Sequence, residues 1–322
     1  MTASPVSFPS MPKPNMYWHQ LPSRFPKCSL LLLVSVLAAA ATLPSANAND
    51  VFSNVNSSLS VLANFKANGQ IFTKPYPYIV IEDALDIELY SQLADNFLTN
   101  LDILRLNGEP DEAERKQNYR YDVRAQQTLA KGSTVSELWK EFIRYHASRE
   151  FFDEVLSILG SHIQKAHPSM AKAPSIGLRF NDTKNAEVLL DCQVAMNAPV
   201  TVRSAVRGPH IDGPAEVFAG LLYFRDQTDL ETKGGDLQVL ECKNPPCKKM
   251  DRKERARYGT GDTHYKPRDV HIRNTVPYKA NMFVLFVNSV KAIHGVTPRS
   301  VTPFSRRLVN VVAVRRGVGK MG

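Results

Sequence analysis

Cysteine is scarce in this sequence: four occur in 322 residues, and Cys28 lies in an N-terminal stretch that reads as a targeting segment. Cys192, Cys242 and Cys247 remain, with no further ligands at the spacing a zinc site needs. Cys242 and Cys247 bracket Asn244-Pro245-Pro246, a tight turn that suits a small disulfide loop in an oxidising compartment. Acid is absent from the first 48 residues, which carry Lys13, Arg24 and Lys27. The one conspicuous apolar run, residues 29–43, is too short for a membrane-spanning helix, so a membrane enters only if that segment stays uncleaved. The basic excess is modest: a net charge of +9 falls to +6 once those three N-terminal cations are removed, too little to argue for a nucleic-acid partner.

What is present organises the chain into three parts. Arg24 and Lys27 form a positive region, residues 29–43 an apolar one, and Ala46-Asn47-Ala48 a small-residue cleavage site, so 1–48 reads as a signal peptide or signal anchor. Export to a secretory-pathway lumen is the expectation, with a cytoplasmic protein as the alternative if the start lies elsewhere. The sequons at Asn56 and Asn181 agree with export. Residues 49–74 read as a short helix and linker, and 75–322 as a single domain.

Within that domain, residues 75–85 read as a strand entering a helix capped by Asp86, with Leu89, Leu93 and Phe97 on one face. Residues 109–124 are highly charged and read as a loop. A helix over 134–146 capped by Ser133 and a second over 149–163 are amphipathic and suit the outside of a sheet. Residues 176–180 and 188–196 read as strands. Residues 243–273 hold ten Lys or Arg and four Asp or Glu, and read as a basic insertion: a solvated loop, or a lid favouring an anionic substrate. His146, His162, His167, His264 and His271 are expected in surface or capping roles.

The chemistry gathers at Val206-Arg207-Gly208-Pro209-His210-Ile211-Asp212-Gly213-Pro214. On a strand, His210 and Asp212 share a face, because side chains alternate. His294, 82 residues beyond Asp212, is the candidate third ligand. Two imidazoles and one carboxylate on one side of a metal make the facial triad of non-haem Fe(II) oxygenases. An H-x-D alone is commonplace, and its flanks carry the weight. Residues 218–224 and 234–240 follow it as apolar or glycine-led strands, and Arg306-Arg307-Leu308-Val309-Asn310-Val311-Val312 follows His294.

Together these stretches resemble the Fe(II)/2-oxoglutarate-dependent dioxygenases, in particular the branch that contains the prolyl 4-hydroxylases. The resemblance runs from about Pro75 to Val314 and is strongest from Arg203 to Val312. It implies an α+β, mainly β fold: a distorted double-stranded β-helix (jelly roll) with supporting N-terminal helices. It implies Fe(II) on His210, Asp212 and His294, with 2-oxoglutarate and O₂ as cosubstrates and ascorbate as an auxiliary reductant.

The distal carboxylate of 2-oxoglutarate calls for an arginine on the strand after the distal histidine. Arg306 and Arg307 both qualify. Alternation groups Arg306 with Leu308 and Asn310, the family-like pattern, and favours Arg306; Arg307 stays open. Tyr223 is either a hydroxyl on that carboxylate or a plain core aromatic. Related halogenases replace the triad carboxylate with a small residue, so Asp212 points to hydroxylation or another oxidation without halogen. The substrate implied first is a peptidyl proline, next a small molecule such as a sugar derivative or free amino acid. A non-catalytic jelly-roll binding protein is the remaining alternative.

Overall fold

The computed structural model describes residues 57–110, 116–181, 184–244, 247–250 and 262–317. The targeting segment, parts of the sequons at Asn56 and Asn181 and much of the basic insertion lie outside them.

The strands, in chain order, are β1 (Gly69–Phe72), β2 (Tyr78–Ile81), β3 (Arg120–Val123), β4 (Ile176–Leu178), β5 (Val188–Asn197), β6 (His210–Ile211), β7 (Glu216–Tyr223), β8 (Leu237–Cys242), β9 (Thr263–His264), β10 (Val270–Val276), β11 (Phe283–Val287), β12 (His294–Val296) and β13 (Arg306–Arg315). They form a larger sheet ordered β1-β2-β11-β7-β13-β5-β3, with β4 parallel to β5, and a smaller one ordered β10-β8-β12-β6-β9. From β5 onward the chain crosses between sheets: β5, β7, β11 and β13 fall in the larger, β6, β8, β10 and β12 in the smaller. That connectivity is a distorted double-stranded β-helix.

Strand parity partitions the core. On β13, Val309, Val311 and Ala313 join one apolar cluster with Phe283, Leu285 and Val287 of β11, while Leu308 joins another with Val284 and Phe286. The first cluster packs under helices α1 (Phe65–Asn68), α2 (Ile87–Asp95), α3 (Asn100–Asn107), α4 (Ala125–Thr128), α5 (Glu137–His146) and α6 (Arg149–Ala166), with Trp139, Phe142, Phe151 and Phe152 fully buried. The second cluster unites both sheets, since Leu237 and Val239 of β8 meet Tyr223 of β7 and Leu308. Both faces of the larger sheet are covered, so every residue of β5 and β11 is buried, and β11 reads as an unbroken apolar run.

Several boundaries differ from the sequence reading. The first long helix starts at Glu137, because Ser136 rather than Ser133 accepts from the Trp139 N–H; the Ser133 hydroxyl caps a turn at Val135 instead. The second runs on to Ala166. Residues 57–72, read as part of a linker, pack into the fold: Leu59, Val61 and Leu62 are buried and β1 pairs with β2. Residues 120–123, read as loop, are an edge strand. The basic insertion ends sooner than expected, because β9 pairs with β6 and β10 with β8. Cys242 and Cys247 are joined as a disulfide.

His146, expected at the surface, is buried outright. Its Nε2 accepts from the Val61 N–H at 3.1 Å and its Nδ1 donates to the Phe142 carbonyl at 2.8 Å. Burial, opposed by the Phe142 hydrogen bond, pushes its pKa down to about 4. The folded value lies below the unfolded one, so unfolding takes up a proton. The stability this neutral ring supports is intact above pH about 6.5 and falls as pH drops toward 4, by about 3 kcal/mol. His146→Gln is expected to unfold at a urea midpoint that varies less between pH 7 and 4.5 than the parent's does. Parallel midpoint–pH curves for the two proteins would refute this.

Candidate metal centre and its cavity

The smaller sheet builds the centre by register. His210 of β6 and His294 of β12 are direct cross-strand partners, and their ring centroids lie 4.1 Å apart. Asp212 follows β6 by one residue, and its two oxygens stand 3.4 Å from His210 Nε2 and 3.5 Å from His294 Nε2. One ligand atom from each of the three lies within 4.8 Å of the others.

The tautomers are fixed from behind. His210 Nδ1 donates to the Gly208 carbonyl at 2.8 Å and His294 Nδ1 to the Ala292 carbonyl at 3.0 Å. Both Nε2 lone pairs therefore aim at the carboxylate, and His210 Nε2 is buried with no hydrogen-bond partner among the described residues. Burial, with His294 beside it, pushes His210 down to about 3; burial also lowers His294. Burial alone would raise Asp212, but His294, His210 and Arg207 hold it well below the usual carboxylate range. Nε2 lone pairs facing a carboxylate repel it unless a proton or a metal cation lies between them, and a bound metal ion removes the conflict. The donor set fits a divalent transition metal with open positions.

A cavity of about 550 Å³ opens from this centre between the sheets, and His210, Asp212 and His294 line it together with Arg306, Leu308, Asn310 and Val312 of β13. Arg306 is 3% exposed; its Nε donates to the Gly235 carbonyl at 2.7 Å, and one terminal nitrogen, Nη2, is buried without a partner among the described residues. The turn that accepts from it needs glycine. Gly234 and Gly235 sit at φ 83° and 87°, and a Cβ on Gly234 would collide with the Pro298 carbonyl. Tyr223 lies under Arg306, 5.0 Å from its guanidinium, with its hydroxyl buried and lacking a hydrogen bond among the described residues. Burial pushes that phenol up to about 12. Arg307 faces the other way, pairing with Asp226 at 2.9 Å over the ring of Phe97.

Some groups around the centre and the cavity were not singled out from sequence. Arg207 stands 3.7 Å from Asp212 and also pairs with Asp262. His264, expected in a solvated loop, is 1% exposed and stacks 5.6 Å from His210, because β9 continues the sheet beyond β6. Glu216, pushed up to about 8 by burial and by Asp212, lines the cavity near the centre. Arg120, Arg179, Gln193 and Asn197 line it from the larger sheet. Period-two alternation places Gln193 and Asn197 on one face of β5, a signal that was available in the sequence.

No family model matches the chain, and no curated protein matches it. Among solved structures, the chain is similar to a prolyl-4-hydroxylase from Pseudomonas putida, at 13% identity and a TM-score of 0.39, covering 81% of this chain and 100% of that one. It is similar to the epimerase SnoN in complex with Fe3+, alpha ketoglutarate and nogalamycin RO, at 12% identity and a TM-score of 0.40, covering 80% of this chain and 86% of that one. It is also similar to a prolyl 4-hydroxylase from Phytophthora capsici, at 17% identity and a TM-score of 0.39, covering 81% of this chain and 64% of that one. At such identities and TM-scores the likeness says nothing of activity or substrate, which rest on this chain's own residues.

Proposed function

We propose that the chain is an Fe(II)- and 2-oxoglutarate-dependent oxygenase that hydroxylates a C–H bond of a substrate held in this cavity. The observation that carries the reading is the convergence of two neutral imidazole Nε2 atoms and the Asp212 carboxylate at the floor of a cavity that also holds an unsatisfied Arg306. Bound iron would supply O₂ activation, with one oxygen atom entering the substrate C–H bond and the other the succinate formed as 2-oxoglutarate loses CO₂.

The protein's part is positional. The Gly208 and Ala292 carbonyls hold the imidazoles in the ligating tautomer. Asp212 remains ionised, so no proton must leave on metal binding at neutral pH. Arg306 offers its Nη2 to the distal carboxylate of 2-oxoglutarate, and the Tyr223 hydroxyl is the neighbouring neutral donor. Leu237, Leu308 and Phe286 supply the apolar wall that limits water around the centre. In the same reading residues 1–48 export a single oxygenase domain, and the Cys242–Cys247 disulfide suits an oxidising lumen.

For the substrate, the sequence resemblance points to a peptidyl proline, whereas the cavity's guanidinium-lined wall favours a small molecule. The test of the chemistry is independent of that choice. Purified protein incubated with Fe(II), ascorbate, O₂ and labelled 2-oxoglutarate is expected to release labelled CO₂ and succinate in equal amounts, even without substrate. Absence of iron-dependent turnover, with Fe(II) and 2-oxoglutarate still bound, would leave a metal-binding jelly roll without catalysis.

A further inference from the structure

The cavity wall carries more positive charge than the metal chemistry uses. Four guanidiniums, those of Arg120, Arg179, Arg207 and Arg306, line the cavity. Arg207 is committed to Asp212 and Asp262, and Arg306 to the Gly235 carbonyl and the proposed cosubstrate. Arg120 and Arg179 are held loosely by comparison. Arg120 reaches Asp122 at 3.3 Å and Gln193 only at 3.5 Å, and Arg179 stands 4.0 Å from Asp191. The Asp191 carboxylate is already taken by the Ala125 N–H at 3.0 Å and by Gln193 Nε2 at 2.8 Å.

Neutral amides stand between these cations and the cosubstrate arginine. Asn310 Nδ2 donates to Gln193 Oε1 at 3.2 Å. Asn197 is the cross-strand partner of Arg306 on one side and of Arg120 on the other. It is 0% exposed, lines the cavity, and neither its Oδ1 nor its Nδ2 has a hydrogen-bond partner among the described residues. Buried amides are almost always satisfied, and one left open at a cavity wall marks the place of a polar ligand.

We propose that this wall, with Arg120 and Arg179 as its charged groups and Asn197 and Asn310 as its neutral ones, binds a small anionic substrate, a carboxylate or a phosphate ester, beside the metal. That the bound anion is hydroxylated rests on the oxygenase reading; that an anion binds there does not. The planar guanidinium fork matches both anions and loses little freedom on pairing. The cavity's size falls within the roughly 300–1,000 Å³ of small-molecule pockets. Arg120 lies within β3, and Arg179 directly follows β4 with its N–H still donating to the Leu190 carbonyl of β5, so the recognition is built onto the inner wall rather than into the covering loops.

The test is calorimetric titration with a panel of small carboxylates and phosphate monoesters, each matched with its neutral amide or alcohol, alongside a proline-rich peptide. It is run on the metal-free protein and on anaerobic protein saturated with Mn(II) and 2-oxoglutarate. Members of one anion class are expected to bind in both states, with Kd at least tenfold weaker in Arg120→Gln and in Arg179→Gln and weakening with salt. Comparison of the two anion classes identifies which is recognised. Where a Gln variant melts early, the corresponding Lys variant is titrated in its place and is expected to keep part of the affinity. Binding of the neutral partners as tightly as the anions, unchanged affinity in both variants, competition by 2-oxoglutarate, or binding by the peptide alone would overturn the assignment. Anion binding without any metal or 2-oxoglutarate binding would overturn the oxygenase reading and leave this site standing.

Discussion

His294→Ala, His210→Ala and Asp212→Ala are each expected to lose stoichiometric Fe(II) binding in an anaerobic titration, with affinity falling by at least about a hundredfold. The size follows from the preparation of the site. Both imidazoles are neutral and clamped by backbone carbonyls, and the carboxylate is already ionised, so the three donors meet a metal with little reorganisation. Removing one leaves two donors and an unbalanced charge. A second readout separates lost binding from lost folding. In the parent, Mn(II) at a hundred times its Kd should add about 2.7 kcal/mol of stability, a shift of several degrees in Tm. That shift is expected to vanish in all three variants while each still melts cooperatively. Asp212→Asn is the sharper comparison, since it keeps the shape and removes the charge. One iron per chain in His294→Ala would show that the third ligand is another residue.

The centre was legible in the sequence because it obeys rules of local period. His210 and Asp212 share a face by alternation, and the same alternation set Arg306, Leu308 and Asn310 on one side of a strand; all five line the cavity. The helix cap at Asp86 was similarly local, a short side chain before an amphipathic run. What escaped was the polar half of the cavity. β3 reads Arg-Tyr-Asp-Val, and its period of two is present: Tyr121 and Val123 enter the core while Arg120 faces the cavity. A strand that lines a polar cavity on one face carries too few apolar residues to look like a strand, and reads as a charged loop. His264 escaped for a related reason. Its segment is basic and its strand two residues long, so only its pairing with β6 reveals that it is buried. Residue type predicted solvent at these positions; long-range register decided otherwise.

Arg306→Ala is expected to weaken 2-oxoglutarate binding by roughly two to three and a half decades, corresponding to the loss of about 3–5 kcal/mol when a buried carboxylate is left without its cation. Arg307→Ala is expected to change it less than about threefold, as befits an exposed-side ion pair. The two side chains are adjacent in sequence and opposite in environment. Arg306 is buried over Tyr223 and Tyr278, held by Gly235, with Nη2 unsatisfied at the cavity; Arg307 spends its charge on Asp226 outside it. Truncating Arg306 also strips a hydrogen bond from the Gly235 carbonyl, so a folding defect must be distinguished from a binding defect. Arg306→Lys separates them. It restores a cation but not the planar fork, and should recover part of the affinity with a melting temperature near the parent's. Tyr223→Phe provides the second arm. It removes one buried hydroxyl that lacks a hydrogen bond among the described residues, so it should leave stability unchanged or slightly raised while weakening 2-oxoglutarate severalfold if that hydroxyl meets the cosubstrate. Equal effects of Arg306→Ala and Arg307→Ala on the 2-oxoglutarate Kd would place the cosubstrate elsewhere in the cavity. Tyr223→Phe with unchanged affinity would return that residue to the core as a plain aromatic.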